Sequence, residues 1–315
     1  MDSVDTKNIE KTKLNQIQAT CEIKNIKNNN NLKQIFRYLK YLNLLAINRY
    51  CKNIQKRINL SINDYKEYSE AYSSIEIEII PLENGYGPFI NCPNNEERYQ
   101  IYFNNNKHKK IKKHIIFVDE NIDNILVLIN KEVNSFYKLF YDCKSIKSIN
   151  FKKFARNNIE NMSKMFKDCT NLEEIKFSYA NTLNVLDMSY MFNGCKSLKR
   201  VNLSYFNTSN VIDMSCMFYG CESIEEINLS KFNTNNVGNM SCMFGLCSSL
   251  KTLNISGLNT NNVTDMRGMF IKCSSLEKLD LSNFNINKDT SKFGMFAGCP
   301  DELNKTIKAL KKNLI

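Results

Sequence analysis

Along the second half of the chain the apolar positions fall on a fixed grid. Cys143, Cys169, Cys195, Cys221, Cys247, Cys273 and Cys299 stand 26 residues apart. Phe140, Phe166, Phe192, Phe218, Phe244, Phe270 and Phe296 keep the same period, each directly preceded by Leu139, Met165, Met191, Met217, Met243, Met269 or Met295. Phe136, Met162, Met188, Met214, Met240 and Met266 come three residues earlier. Each cysteine is followed by an L-x-x-L-x-L pattern, clearest at Leu198, Val201 and Leu203, at Ile224, Ile227 and Leu229, and at Leu250, Leu253 and Ile255. Self-similarity at a fixed period marks an array of one structural unit whose copies bury each other's apolar faces.

Each unit reads as two elements. The alternating end of L-x-x-L-x-L predicts a short strand. M-x-x-M-F, apolar at i, i+3 and i+4, predicts a helical turn. Ser135, Asn161, Asp187, Asp213, Asn239, Asp265 and Ser291 directly precede that stretch, and all are helix N-cap types. In the polar turn between strand and helix, Asn207, Asn233, Asn259 and Asn285 form one column and Asn210, Asn236 and Asn262 another. Stacked amides of this kind can satisfy backbone groups from rung to rung. The fold class expected is an α/β solenoid, with strands on one side and short helices on the other.

Patterning also divides the rest of the chain. Residues 1–30 are polar and read as a flexible tail. Residues 31–66 read as a helical segment: Leu32, Ile35, Phe36 and Leu39 share one face, and Leu44, Leu45, Ile47, Cys51, Ile54 and Ile58 continue into a second helix. Residues 67–132 read as short strands between turns at Pro81, Gly85, Gly87, Pro88 and Pro93; Ile75, Ile77 and Ile79 alternate with Glu76 and Glu78. This β-rich region is expected to cap the first unit, which would otherwise expose an apolar face and a strand edge. The array of about seven units runs over 133–300, and 301–315 reads as a C-terminal capping helix through Leu303, Ile307, Leu310 and Leu314.

The repeating unit N-V-x-D-M-S-x-M-F-x-G-C-x-S-L-x-x-L-x-L-S-x-F-N-T, seen at its clearest in Val211–Cys221, resembles the repeat of the BspA-like leucine-rich repeat family. The resemblance covers about residues 133–299. It implies a right-handed solenoid with a parallel sheet on the concave side, and its members are often surface or adhesion proteins. The end units depart from the pattern, with Phe136 and Leu139 in place of Met in the first and Lys292 in place of Met in the last. Residues 31–60 resemble an F-box, with L-x-x-I-F-x-Y-L, Leu44-Leu45 and Cys51-Lys52. The usual Leu-Pro opening is missing, and Asn53-Ile54 stands where Trp often follows. That resemblance implies docking on a Skp-type adaptor through Leu32, Ile35, Phe36, Leu39, Leu44 and Leu45, with the repeats holding a ubiquitin-ligase substrate.

Charge and cysteine content narrow the functional classes. The net charge is +11 over 315 residues, with a local basic run from Lys107 to His114. That run contains no stacking aromatics, so nucleic acid is not expected as a partner. Twelve cysteines are present, but the repeating column holds an odd number, follows an apolar turn and contains no C-x-x-C. It reads as buried free thiols rather than disulfides or a metal site. The two histidines, His108 and His114, lie outside the array. No phosphate loop, nucleophile–base pair or metal cluster is evident, so neither catalysis nor a cofactor is expected. A polar N-terminus and the lack of any bilayer-length apolar run predict an intracellular, cytoplasmic protein without a membrane span.

The candidate function is therefore protein–protein binding by a scaffold. The alternatives are a ubiquitin-ligase receptor and, less favoured, a surface adhesin. Strand residues between the apolar positions supply the candidate surface: Glu174, Arg200, Glu226, Thr252 and Lys278 in one column, and Lys176, Asn202, Asn228, Asn254 and Asp280 in the next. Tyr179 and Tyr205 stand at their margin as anchors. Lys147, Glu173, Lys199, Glu225, Lys251 and Glu277 alternate in sign and are expected to pair between rungs.

Overall fold

The computed structural model describes residues 73–92, 98–130 and 133–310. The expected tail and the 31–66 segment, with all six adaptor-docking candidates, lie outside these residues. In chain order the strands are β1 (Ile75–Pro81), β2 (Gly87–Pro88), β3 (Tyr99–Phe103), β4 (Ile115–Ile116), β5 (Ile125–Ile129), β6 (Ile146–Lys153), β7 (Glu174–Phe177), β8 (Arg200–Val201), β9 (Glu226–Asn228) and β10 (Thr252–Asn254). One helix, α1 (Asp301–Leu310), closes the described residues, burying Leu303 and Ile307. No helix among the described residues is long and apolar enough to cross a membrane.

The largest sheet is mixed, in the order β3-β5-β1-β6-β7-β8. Its first three junctions are antiparallel and the β6–β7–β8 junctions are parallel. β1 buries Ile75, Ile77 and Ile79 completely and turns Glu76 and Glu78 outward, as its alternation predicts. Lying beside β6, it occupies the edge that the first rung would otherwise leave unpaired. Arg156 is wholly buried there and is satisfied by backbone: its guanidinium donates to Ser73 O at 2.8 and 3.1 Å and to Ile129 O at 3.1 Å. On the turn side of the first rung, Asn91 stands in for a preceding rung. Its N–H bonds Leu139 O at 2.7 Å, and its Nδ2 bonds Lys138 O and Tyr141 O.

The 26-residue units stack in register. Parallel bridges link Ser135, Asn161, Asp187, Asp213, Asn239, Asp265 and Ser291 in succession. The densest ties run along the M-x-x-M-F stretch. The N–H groups of Met214, Cys216, Phe218 and Gly220 donate to Asn239, Ser241, Met243 and Gly245 one rung on, at 2.8–3.0 Å, and the same alternate residues repeat this at the other rungs. Seven Phe rings from Phe140 to Phe296 stack with centroids 5.2–5.9 Å apart. Beside them each cysteine from Cys169 to Cys299 points its thiol at the carbonyl of the Phe one rung back, at 2.8–3.2 Å.

This corrects the expected right-handed α/β leucine-rich-repeat solenoid with convex helices. The M-x-x-M-F stretches are successive turns, and α1 is the one helix among the described residues. Two residues per rung sit in the left-handed region. One column is Lys138, Lys164, Tyr190, Cys216, Cys242, Gly268 and Gly294, with φ from 53° to 67°. The other is Asp142, Asp168, Gly194, Gly220, Leu246, Lys272 and Gly298, with φ from 57° to 77°. A right-handed helix cannot pass through such residues. Turning the chain this way frees alternate N–H groups from i−4 bonding and aims them at the next rung. The expected N-caps cap these turns instead: Asp213 Oδ1 accepts the Ser215 N–H at 2.7 Å, and Asn161, Asp187, Asn239 and Asp265 act alike. Nor does one parallel sheet line the other side, because the strands fall into separate mixed and parallel sheets.

The polar turns carry the asparagine ladder. Asn210, Asn236 and Asn262 donate from Nδ2 to Leu183, Ser209 and Asn235 carbonyls of the rung before, at 2.6–2.8 Å. A threonine ladder lies beneath it. Thr182, Thr208, Thr234 and Thr260 are buried; each hydroxyl accepts the N–H and bonds the C=O of the Asn one rung on, at 2.8–2.9 Å. One hydroxyl thus pairs with both backbone groups of a single residue on the next rung.

Candidate functional site

The strand side of the stack holds the candidate surface because its inward positions are filled by the L-x-x-L-x-L residues. Alternation then leaves their neighbours facing out. Arg200 on β8 lies in register with Glu174 on β7, and Thr252 and Asn254 on β10 with Glu226 and Asn228 on β9. Lys176, Arg200, Asn202, Glu226, Asn228, Thr252, Asn254, Lys278 and Asp280 are exposed, and Glu174 is half-buried. Tyr179 and Tyr205 are each about half exposed, 49% and 50%, with ring centroids 6.4 Å apart.

The sheet breaks in the middle of this surface. β8 ends the large sheet, and β9 and β10 form a separate parallel pair. The turn side stays fully bonded across the same junction: the Met188, Tyr190, Phe192 and Gly194 N–H groups all reach the next rung. No strand ladder joins β8 to β9, although the Ser223 N–H bonds Lys196 O at 3.0 Å beside them, and a groove of about 830 Å³ lies over the junction, lined by Glu173, Glu174, Lys199, Arg200, Glu225 and Glu226 among others. A second groove of about 440 Å³ shares Glu174, Arg200 and Asn202 with it and reaches Lys176 and Tyr205.

Several of these side chains also serve the fold. Glu174 pairs with Lys176 at 2.8 Å. The alternating charge column forms Lys199–Glu173 at 2.8 Å and Lys251–Glu225 at 3.0 Å. The Lys199 ammonium holds the Glu173 carboxyl below the usual carboxylate range. Asn202, Asn228, Asn254 and Asp280 each accept an N–H two residues on through Oδ1, at 2.8–3.2 Å, so the column expected to meet a partner also caps its own turns. Arg200 and Glu226, by contrast, form no ion pair among the described residues, and they face the break from either side.

Elsewhere the basic run is partly structural. Lys113 pairs with Glu120 and lies over the Phe103 and Phe117 rings at 5.3 and 5.4 Å. The nine described cysteines from Cys143 to Cys299 are free thiols. Burial pushes the column thiols upward, to about 12 at Cys169 and Cys273 and about 11 at Cys299. No three His, Cys, Asp or Glu among the described residues converge to hold a metal ion. The threonine ladder escaped the sequence reading, although the recurring Asn-Thr pairs at 181–182, 207–208, 233–234 and 259–260 signal it.

Residues 134–228 and 221–313 match the family described as "Mycoplasma protein of unknown function, DUF285", and together they span more than half of the chain. The chain belongs to the DUF285 family. Its two matched segments overlap at residues 221–228, inside the array of 26-residue rungs. No leucine-rich-repeat or F-box family was found, and the resemblances drawn from the repeat and from residues 31–60 are corrected accordingly. No curated protein and no solved structure matches the chain.

Proposed function

We propose that this DUF285 chain is a non-enzymatic binding protein whose strand face holds an extended segment of a partner protein across the break between β8 and β9. The observation that carries this reading is the break itself. It leaves backbone edges of two neighbouring strands without a ladder, between the oppositely charged Arg200 and Glu226. An extended segment lying over the groove meets these charged side chains from outside the stack, and their opposite signs give selectivity. The Tyr179–Tyr205 pair supplies a rigid, amphipathic anchor beside it. The Skp-type adaptor and ubiquitin-ligase reading falls with the F-box resemblance.

The test is a display library of random extended peptides panned on the whole protein. Enriched peptides should lose about tenfold in affinity for Arg200→Glu and for Glu226→Lys, as expected when an interfacial charge pair is reversed. Ile212→Ser, an exposed change on the turn side, should leave binding as it is. Failure to enrich any peptide, or peptides that bind both reversed variants as well as the original, would rule the reading out.

A further inference from the structure

Within the array, two of the described cysteines stand outside the buried column. Cys216 and Cys242 occupy the position between the two methionines, one rung apart, and both are partly exposed. Their backbones are in register: the Cys216 N–H bonds Ser241 O and the Cys242 N–H bonds Arg267 O, each at 2.8 Å. Equivalent Cα atoms on neighbouring rungs lie about 5 Å apart, inside the range a disulfide spans. Cys242 and the Tyr190 phenol of the rung before are among the side chains whose charge acts on the Cys216 thiol.

The two thiols differ in access. Cys216 is flanked in its column by Tyr190 and Cys242, whereas the residue beyond Cys242 is Gly268. A Cβ at Gly268 would come within 3.2 Å of Cys242 Sγ, so the glycine leaves room beside that sulfur, which donates to Arg267 O at 3.5 Å. Burial pushes the Cys216 thiol up to about 11, which makes it a slow first attacker and, once bonded, a poor leaving group.

The geometry points to a dithiol modification site in which Cys216 and Cys242 close into an inter-rung disulfide by exchange with a low-molecular-weight disulfide. The Cys242 thiolate attacks one sulfur of the small disulfide, forming a mixed disulfide and expelling one small thiolate. Cys216 gives up its proton and attacks Cys242 Sγ, expelling the second small thiolate. Two protein thiols are oxidised, one small disulfide is reduced to two thiols, and the two protons released from the protein end on them. The site lies on the turn side of the rungs that carry β9 and β10 and is independent of the strand-face reading.

The experiment uses the full chain with 2-hydroxyethyl disulfide, acid quenching, and peptide mapping after denaturing alkylation. Cys216 and Cys242 should lose their free thiols together and appear as one linked peptide. Cys216→Ser should instead retain a 2-hydroxyethanethiol adduct on Cys242, and Cys242→Ser should acquire one on Cys216 at least tenfold more slowly. A persistent adduct on Cys242 of the unaltered chain, a link from either residue to a column cysteine, or equal adduct rates in the two variants would overturn the proposal.

Discussion

Stability should fall steeply as the pH rises above about 8.5. Cysteines of the unfolded chain ionise near pH ~8.5. In the fold, burial keeps the thiols of Cys143, Cys169, Cys195, Cys221, Cys247, Cys273 and Cys299 protonated far above that pH. A group whose folded pKa is raised contributes stability that is complete below its unfolded pKa and is lost as the pH climbs toward the folded one. Each thiol then costs up to about 1.4 kcal/mol per pH unit, so seven together approach roughly 10 kcal/mol per pH unit. Total stability is typically about 5–15 kcal/mol. Denaturant titrations in the presence of a reductant should therefore show the midpoint collapsing between pH 8.5 and 10. A variant with Cys195, Cys221 and Cys247 changed to Ala should show a visibly shallower decline. A midpoint that is flat to pH 10 would mean that these thiols are wet.

Phe218→Ala should destabilise the chain by about 3–5 kcal/mol, the cost of emptying a fully packed aromatic site. Phe218 is completely buried between Phe192 at 5.2 Å and Phe244 at 5.9 Å, so no neighbour can collapse into the gap without breaking register. In a chain of this size the melting point should drop by roughly 6–20 °C. Phe296→Ala should cost less, because that ring stacks on Phe270 alone within the column and is already slightly exposed. Equal costs at the two positions would argue against a continuous ring stack.

The columns were legible in the sequence because stacking constrains composition at each rung. Every recurring Met, Phe and Cys from Cys143 to Cys273 is buried, and the recurring Asn residues do tie rung to rung. The M-x-x-M-F stretch was misread because apolar spacing at i, i+3 and i+4 suits two consecutive turns as well as one helical turn. Glycines at 194, 220, 268, 294 and 298 carried the signal for left-handed backbone, but Cys216, Cys242 and Leu246 adopt the same φ with no such marker. The strand face was located through alternation, down to the register of Arg200 with Glu174. The break between β8 and β9 was not. The charge column alternates across it without interruption, and nothing in the local sequence marks where a ladder lapses.

Stacking at a one-rung offset is tested most directly by engineered cross-links on an exposed column, in a Cys216→Ser, Cys242→Ser background. Glu222, Ser248 and Ser274 occupy equivalent exposed places on successive rungs, and the Ser248 and Ser274 hydroxyls each reach the backbone carbonyl one rung back at 3.4 and 3.3 Å. Glu222→Cys with Ser248→Cys should form a disulfide readily under mild oxidation, whereas Glu222→Cys with Ser274→Cys, two rungs apart, should not. Cross-linking of the distant pair as readily as the near one, or of neither, would contradict the stack of 26-residue rungs.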